Sequence, residues 1–327
     1  MPTMTRTDIQ TVGALANFDL QPAVGFDLEV TDFGSSAWVG VPPVAVPEID
    51  VGIFDGVLGP SFVLMNTDIR GWFRKQSLFL SRTNYLRLTN PNGGAARNLS
   101  YSARVTREFG AGASAVITDV QNVGAGANWD IIPTAGEEWK ITDVGASVWI
   151  GGAPFNLPDC TVSLFDGANA ASFMHGADAR GWQKPLELHI DGTNYLRLTN
   201  TNVGANVLSI SGVVSRRRGT AATAVRSDVV ALGAGANWDI IPPLGSEWRI
   251  TDIGGNTWVG VAPAALPQLT VSIFDGAIAS VILQSTDNKG WLDPIEILID
   301  NTNYMRINDA SGAGQNVAIS GVLSRTY

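Results

Sequence analysis

The 327-residue chain has one cysteine, Cys160, and two histidines, His175 and His189. A single thiol permits no internal disulfide, so the fold must be held by its core. A Ser-His-Asp set or a metal cluster would have to be built from these three residues, and their spacing offers no such pattern. Charge is scarce, at 16 %, against a usual ~25 %. It is also unbalanced: 30 acidic and 21 basic residues give a net charge of −9. That sign is repelled by phosphate backbones, which excludes nucleic acid as an expected partner. No apolar run approaches ~18 residues, so no membrane span is expected. The opening MPTMTRTDIQ lacks the apolar core of a cleaved signal. The expectation is synthesis in a reducing cytoplasm, with any role outside it reached by lysis or assembly. Amphipathic helices are missing too: no window of a dozen residues shows a 3.6-residue apolar period with caps. There is no EF-hand-like acidic run, and GAGAN opens no helix that would make it a phosphate loop.

What the chain does have is repetition. GAGANWDIIP stands at 124–133 and again at 233–242, with a looser copy, GALANFDLQP, at 13–22. Phe-Asp-Gly recurs at 54–56, 165–167 and 274–276, Gly-Trp at 71–72, 181–182 and 290–291, and Thr-Asn-Tyr at 83–85, 193–195 and 302–304. The offsets are 109 to 111 residues. That is the length of a domain, well beyond a solenoid unit of ~20–50 residues. The expected organisation is three tandem domains, 1–110, 111–219 and 220–327. The joins, about 108–115 and 217–225, are rich in Gly, Ala, Ser and Thr.

Within the second repeat, short runs bounded by turn residues predict strands near 117–123, 127–132, 138–144, 147–152, 159–165, 171–175, 185–190, 194–199 and 206–215. In Tyr195-Leu196-Arg197-Leu198-Thr199 the leucines point one way and Arg197 the other. Asp166-Gly167 supports a tight turn. Eight or nine such strands in about 100 residues predict an all-β chain of three β-sandwich repeats, jelly-roll or Ig-like, with pseudo-threefold repetition. The strand that closes each repeat carries a shared pattern, Ser102-Ala103-Arg104, Ser211-Gly212-Val213 and Ser320-Gly321-Val322.

Several aligned residues are candidates for binding, and each has a structural reading beside it. Trp129 and Trp238 align with Phe18, and Trp139 and Trp248 with Leu28, so these sites read as core. Trp72, Trp182 and Trp291 follow a polar segment. They read either as packing residues or as exposed rings for a partner or a sugar. Asp55, Asp166 and Asp275 suit turn hydrogen bonds, and calcium is the functional alternative. Thr-Asn-Tyr-Leu/Met-Arg is either a turn into a strand or a shared binding edge. The basic Arg74-Lys75 of repeat 1 and the triplet Arg216-Arg217-Arg218 are solvated charge or contacts to an acidic partner. Repeat 1 is expected to make contacts that the other two do not. No catalytic residue, cofactor or metal site is expected.

Once per repeat, the set Glu-Trp-Lys/Arg-Ile-Thr-Asp, Phe-Asp-Gly, Asp-x-Arg/Lys-Gly-Trp and Thr-Asn-Tyr-Leu/Met-Arg resembles small β-sandwich structural proteins of tailed bacteriophages. The resemblance covers nearly the whole chain. It implies a virion component of the capsid decoration, or cement, type on the capsid exterior, with the major capsid protein or another virion protein as partner. Repeat 1 departs from the pattern at Phe26, Leu28 and Arg97-Asn98-Leu99. The alternative function is a glycan- or receptor-binding module of a tail fibre or adhesin, using Trp72, Trp182 and Trp291. A glycoside hydrolase would need two carboxylates converging in a cleft, which the repeats do not display.

Overall fold

The computed structural model describes residues 5–40, 45–72, 76–108, 115–151, 156–178, 182, 186–218, 220–260, 265–287, 291 and 295–326. It is almost wholly β. In the second repeat the strands are Val116–Val123, Asn128–Ile131, Glu137–Ala146, Trp149–Ile150, Leu157–Pro158, Cys160–Phe165, Ala170–Met174, Leu188–Ile190, Tyr195–Asn200 and Asn206–Arg217. Each overlaps a predicted run except Leu157–Pro158, which falls between the runs at 147–152 and 159–165. No described helix is long and apolar enough to cross a membrane.

The choice between jelly-roll and Ig-like topology is decided by strand order. In the first repeat one sheet runs Thr5–Val12, Arg97–Glu108, Phe26–Ser35, Leu78–Leu80. The other strands run Asn17–Leu20, Tyr85–Thr89, Asp50–Phe54, Ser61–Leu64. Setting aside the short hairpin at Trp38–Val39 and Val46–Pro47, that is the order 1-8-3-6 and 2-7-4-5. The third repeat has the same two orders: Asp228–Leu232, Gln315–Thr326, Ser246–Gly255, Ile297–Ile299, then Asn237–Ile240, Tyr304–Asp309, Leu269–Phe274, Ala279–Gln284. The neighbouring strands in these orders pair antiparallel. Eight strands in these orders make a jelly roll, whereas an Ig domain pairs its strands ABED and CFG.

By packing, the chain divides into two compact units. One comprises Met1–Ala127, Ile141–Cys160 and Asn200–Ser215, the other Asn128–Lys140, Thr161–Thr199 and Arg216–Tyr327. The first repeat's core is built from the inward residues of both its sheets, among them Val30, Ile53, Leu64, Leu80, Leu86 and Leu99. Alternation along Tyr85–Thr89 explains why Leu86 and Leu88 are in it while Arg87 faces outward. The third repeat's core has the equivalent set, including Ile250, Val271, Leu283, Trp291, Met305 and Ile307.

The GAGAN turn needs a left-handed residue at its third position. Gly126 and Gly235 take φ of 65° and 70° there, and repeat 1 puts Leu15 at 54°. An L-residue at such φ costs roughly 1–2 kcal/mol, offset in part by the unfolded-state entropy of glycine. Leu15→Gly is therefore expected to stabilise repeat 1 by about 0.5–1 kcal/mol, read from its urea midpoint. Leu15 is exposed and gives up no core contact.

Candidate functional site

The recurring motifs converge on one cluster in each repeat. Arg197 donates from Nε and its terminal nitrogen to both carboxylate oxygens of Asp130, at 2.6 and 2.7 Å. Its guanidinium lies 3.6 Å from the centre of the Phe165 ring, which Tyr195 meets edge-on at 5.4 Å. The same four roles fall to Arg87, Asp19, Phe54 and Tyr85. In the third repeat they fall to Arg306, Asp239, Phe274 and Tyr304. Neighbouring strand pairing supplies the geometry, since Asp130 stands opposite Arg197 in the register. The Asn-Trp-Asp, Phe-Asp-Gly and Thr-Asn-Tyr-x-Arg segments are thus parts of one framework clasp. A lysine cannot make the two-pronged contact or stack as flatly. Arg197→Lys should cost about 1 kcal/mol in urea-induced unfolding.

The aligned aspartates at 55, 166 and 275 are turn formers. Asp166 Oδ1 accepts from the Ala168 and Asn169 amides, and Asp55 and Asp275 do the same with the second and third residues after them. These amides hold the Asp166 carboxyl below its ordinary range. Among the described residues no group of three or more His, Cys, Asp or Glu is placed to hold a metal ion.

The other sequence candidates sit as follows. Trp182 and Trp291 are 1 % and 0 % exposed. Each donates its indole N–H to a backbone carbonyl, of His175 and Gln284 respectively. They are interior, so of the two readings packing holds for both, and neither is an exposed stacking ring: burial leaves no ring face open to a ligand. Trp72 is half-buried against the repeat-1 core. Arg74 and Lys75 lie outside the described residues. The arginine triplet is engaged within the chain: Arg217 pairs with Glu137 at 2.8 Å, and Arg216 and Arg218 lie 4.0 and 3.6 Å from Glu138. Trp129 is buried as expected, whereas Trp248 is half-buried. Trp248 and Trp238 line a cleft of about 400 Å³ with Asn194, Arg226, Asp228 and Asp239. Arg226 sits 5.2 Å from the Trp248 ring. Cys160 is buried.

Sequence reasoning missed the joints where one repeat meets the next. In the first, the outward edge of Leu78–Leu80 is capped by hydroxyls. The Phe79 N–H donates to Ser211 Oγ (2.7 Å), and Thr118 Oγ1 donates to the Phe79 carbonyl (2.6 Å). Thr142 Oγ1 donates to the Ser77 carbonyl (2.8 Å). Beside them Ala146 pairs with Phe62, and Val120 and Val207 pack on the repeat-1 core. The second joint repeats this one. His189 N–H donates to Ser320 Oγ (2.9 Å), Ser227 Oγ donates to the His189 carbonyl, and Thr251 Oγ1 donates to the Glu187 carbonyl (2.8 Å). Both joints need a glycine where strand meets strand. A Cβ on Gly145 would stand 2.8 Å from the Phe62 carbonyl oxygen, and one on Gly254 2.5 Å from that of Ser172. An acid of one repeat also faces an acid of the next. Burial, with the Asp55 charge as a lesser cause, pushes the Asp119 carboxyl up, and burial with Asp166 does so for Asp228. The one available signal was the Ser of the closing strand, shared by all three repeats.

Glu187 ties the second joint to pH. His189 Nε2 lies 3.4 Å and Arg249 2.8 Å from its carboxylate. The His189 imidazole first, then the charges of Lys140 and Arg249, overcome burial and hold it at about 2, down from 4.5. A lowered acid contributes stability that is present above 4.5 and lost as pH falls through about 2. Glu187→Gln should flatten the pH dependence of unfolding in that window, as followed by acid titration of the melting midpoint.

No protein-family model matches the sequence, and no curated protein matches it. Among solved structures, the chain is similar to one from Sulfolobus Turreted Icosahedral Virus. That match is 12 % identical, covers 64 % of this chain and 90 % of that one, and has a TM-score of 0.29. It is also similar to a chain from an archaeal virus, described in terms of a triple jelly roll fold and turret assembly. There the identity is 11 %, the coverage 97 % and 88 %, and the TM-score 0.23.

Proposed function

We propose that this chain is a non-enzymatic structural protein of a virus particle, bound to the outside of a capsid shell that it decorates or stabilises. The observation behind this reading is where the recurring polar residues go. Asp, Arg and Tyr of the shared motifs close a framework clasp in every repeat, and shared Ser and Thr hydroxyls join repeat to repeat. Residues kept three times over serve construction, in keeping with the motif resemblance to phage structural proteins. The partner is the major capsid protein, and the location is the virion exterior. The test is cosedimentation with shells assembled from that capsid protein and lacking this chain. Saturable binding is expected, and no binding at stoichiometric concentration would overturn the reading.

The cleft beneath Trp238 and Trp248 favours a second reading, glycan recognition. Two half-buried indoles beside Asn194, Asp228 and Asp239 offer apolar faces with polar groups at their rim. That reading expects a hit on a glycan array that Trp238→Ala abolishes; a silent array ends it.

A further inference from the structure

The two joints use one design, and the chain carries both halves of a third that it leaves open. The giving half is the edge strand before the Thr-Asn-Tyr segment, with the strand after Phe-Asp-Gly. In repeats 1 and 2 these present Phe79 and His189, 8 % and 5 % exposed, and Val63 and Phe173, both 0 %. In repeat 3 the same register positions are Leu298, opposite Arg249 as Phe79 is opposite Glu29, and Ile282. Leu298 is 63 % and Ile282 40 % exposed. Because the register is the same, the Leu298 backbone directs its N–H and C=O off the sheet edge, as Phe79 directs its own at the hydroxyls of repeat 2.

The receiving half is complete in repeat 1. Ser102 stands where Ser211 and Ser320 stand, Thr7 where Thr118 and Ser227 stand, Thr31 where Thr142 and Thr251 stand, and Gly34 where Gly145 and Gly254 stand. Thr31 Oγ1 already donates to the Ser102 carbonyl at 3.2 Å, the contact that Thr142 and Thr251 make with Ser211 and Ser320. Ile9 aligns with Val120 and Val229, which are 7 % and 4 % exposed at the joints, and is itself 66 % exposed. A Cβ on Gly34 would meet only the Ser100 side chain, where Gly145 and Gly254 meet a neighbouring backbone.

We propose that the repeat-3 edge around Ile282 and Leu298 docks onto the repeat-1 face around Ile9, Thr31 and Ser102 of a second copy of this chain. The contact continues an interface the chain makes twice within itself, so hydroxyl caps and apolar partners are already matched. It is heterologous, and copies joined this way form a ring or a row. The proposal goes beyond the decoration reading, because self-association is measured with no capsid present and each can fail alone.

The test is sedimentation velocity of the full chain from the nanomolar range to its solubility limit. Mass is expected to rise with concentration. Ile282→Asp with Leu298→Asp removes the giving end, and Ile9→Asp with Ser102→Arg the receiving end. Each variant alone is expected to stay monomeric, and their equimolar mixture to form a 1:1 complex and nothing larger. Leu298→Asp alone, on an exposed side chain, replaces the first variant should that double substitution fail to fold. Wild type that stays monomeric throughout, as it would if the chain closed on itself, overturns the proposal. So does assembly that survives in either variant, or a mixture that forms no complex.

Discussion

Trp291→Ala should destabilise the third repeat by about 3–5 kcal/mol, the usual cost of removing a large buried aromatic. The indole is fully buried in the core with Ile250, Leu283 and Ile295, and its loss also removes one of the two donors to the Gln284 carbonyl, leaving the Asp287 N–H. In a domain of about 100 residues each kcal/mol moves the midpoint by roughly 4–8 °C, so calorimetry should show one transition falling by more than about 10 °C. Trp291→Phe restores most of the apolar volume without the N–H and should recover about half of the loss. A fold change smaller than about 1 kcal/mol for the alanine variant would mean that the ring does not fill this core. The result bears on function as well. A residue this deep cannot carry a sugar, so any effect of Trp291→Ala on binding would come through unfolding.

Gly254→Val carries the second large effect. Its Cβ would stand 2.5 Å from the Ser172 oxygen, 2.9 Å from the Ser172 carbon and 3.1 Å from the Phe173 ring. Two of these are backbone atoms, so the strands must separate. Overpacking of this kind costs about 3 kcal/mol. Asn256 and Asn316, which both donate to the Ala170 carbonyl at 2.8 and 3.0 Å, would be drawn off with it. The expected readout is a joint that opens before the repeats melt, seen as faster hydrogen exchange at Ala170–Met174. Gly34→Val is the control. Only a hydroxyl stands near that position, so its cost to folding should be much smaller. Equal destabilisation by the two valines would refute the strand contact as the cause.

Much of the fold was written in local chemistry. Alternation in Tyr195–Asn200 and the Asp166-Gly167 turn fix strands and their ends within a few residues, and they were readable for that reason. Jelly-roll order was not readable, because it depends on partners such as Thr5 and Arg104 that are close only after folding. The clasp was hidden the same way. Asp130 and Arg197 each look like an ordinary outward residue, and only pairing across 67 residues brings them together. The joint hydroxyls were hidden more thoroughly. Ser211 alternates to the outside of its own strand, where a serine reads as solvated, and its partner Phe79 is 132 residues away. Trp182 and Trp291 left two readings open because polar sequence neighbours do not tell whether the ring is covered after folding.

The pairing of each repeat's first strand with its last has a consequence for synthesis. Thr5–Val12 waits for Arg97–Glu108, and Asp228–Leu232 for Gln315–Thr326. On a ribosome, the first strand of a repeat therefore emerges long before the strand that satisfies its edge. Such high contact order makes closure slow. During that interval the closing strand of the repeat before it, of closely related sequence, is the nearest substitute. Repeats 2 and 3, which share GAGANWDIIP letter for letter, are the pair most exposed to exchanging strands. Repeat 1, whose sequence departs furthest from the other two, offers the poorest substitute for their strands and is the least exposed to such exchange.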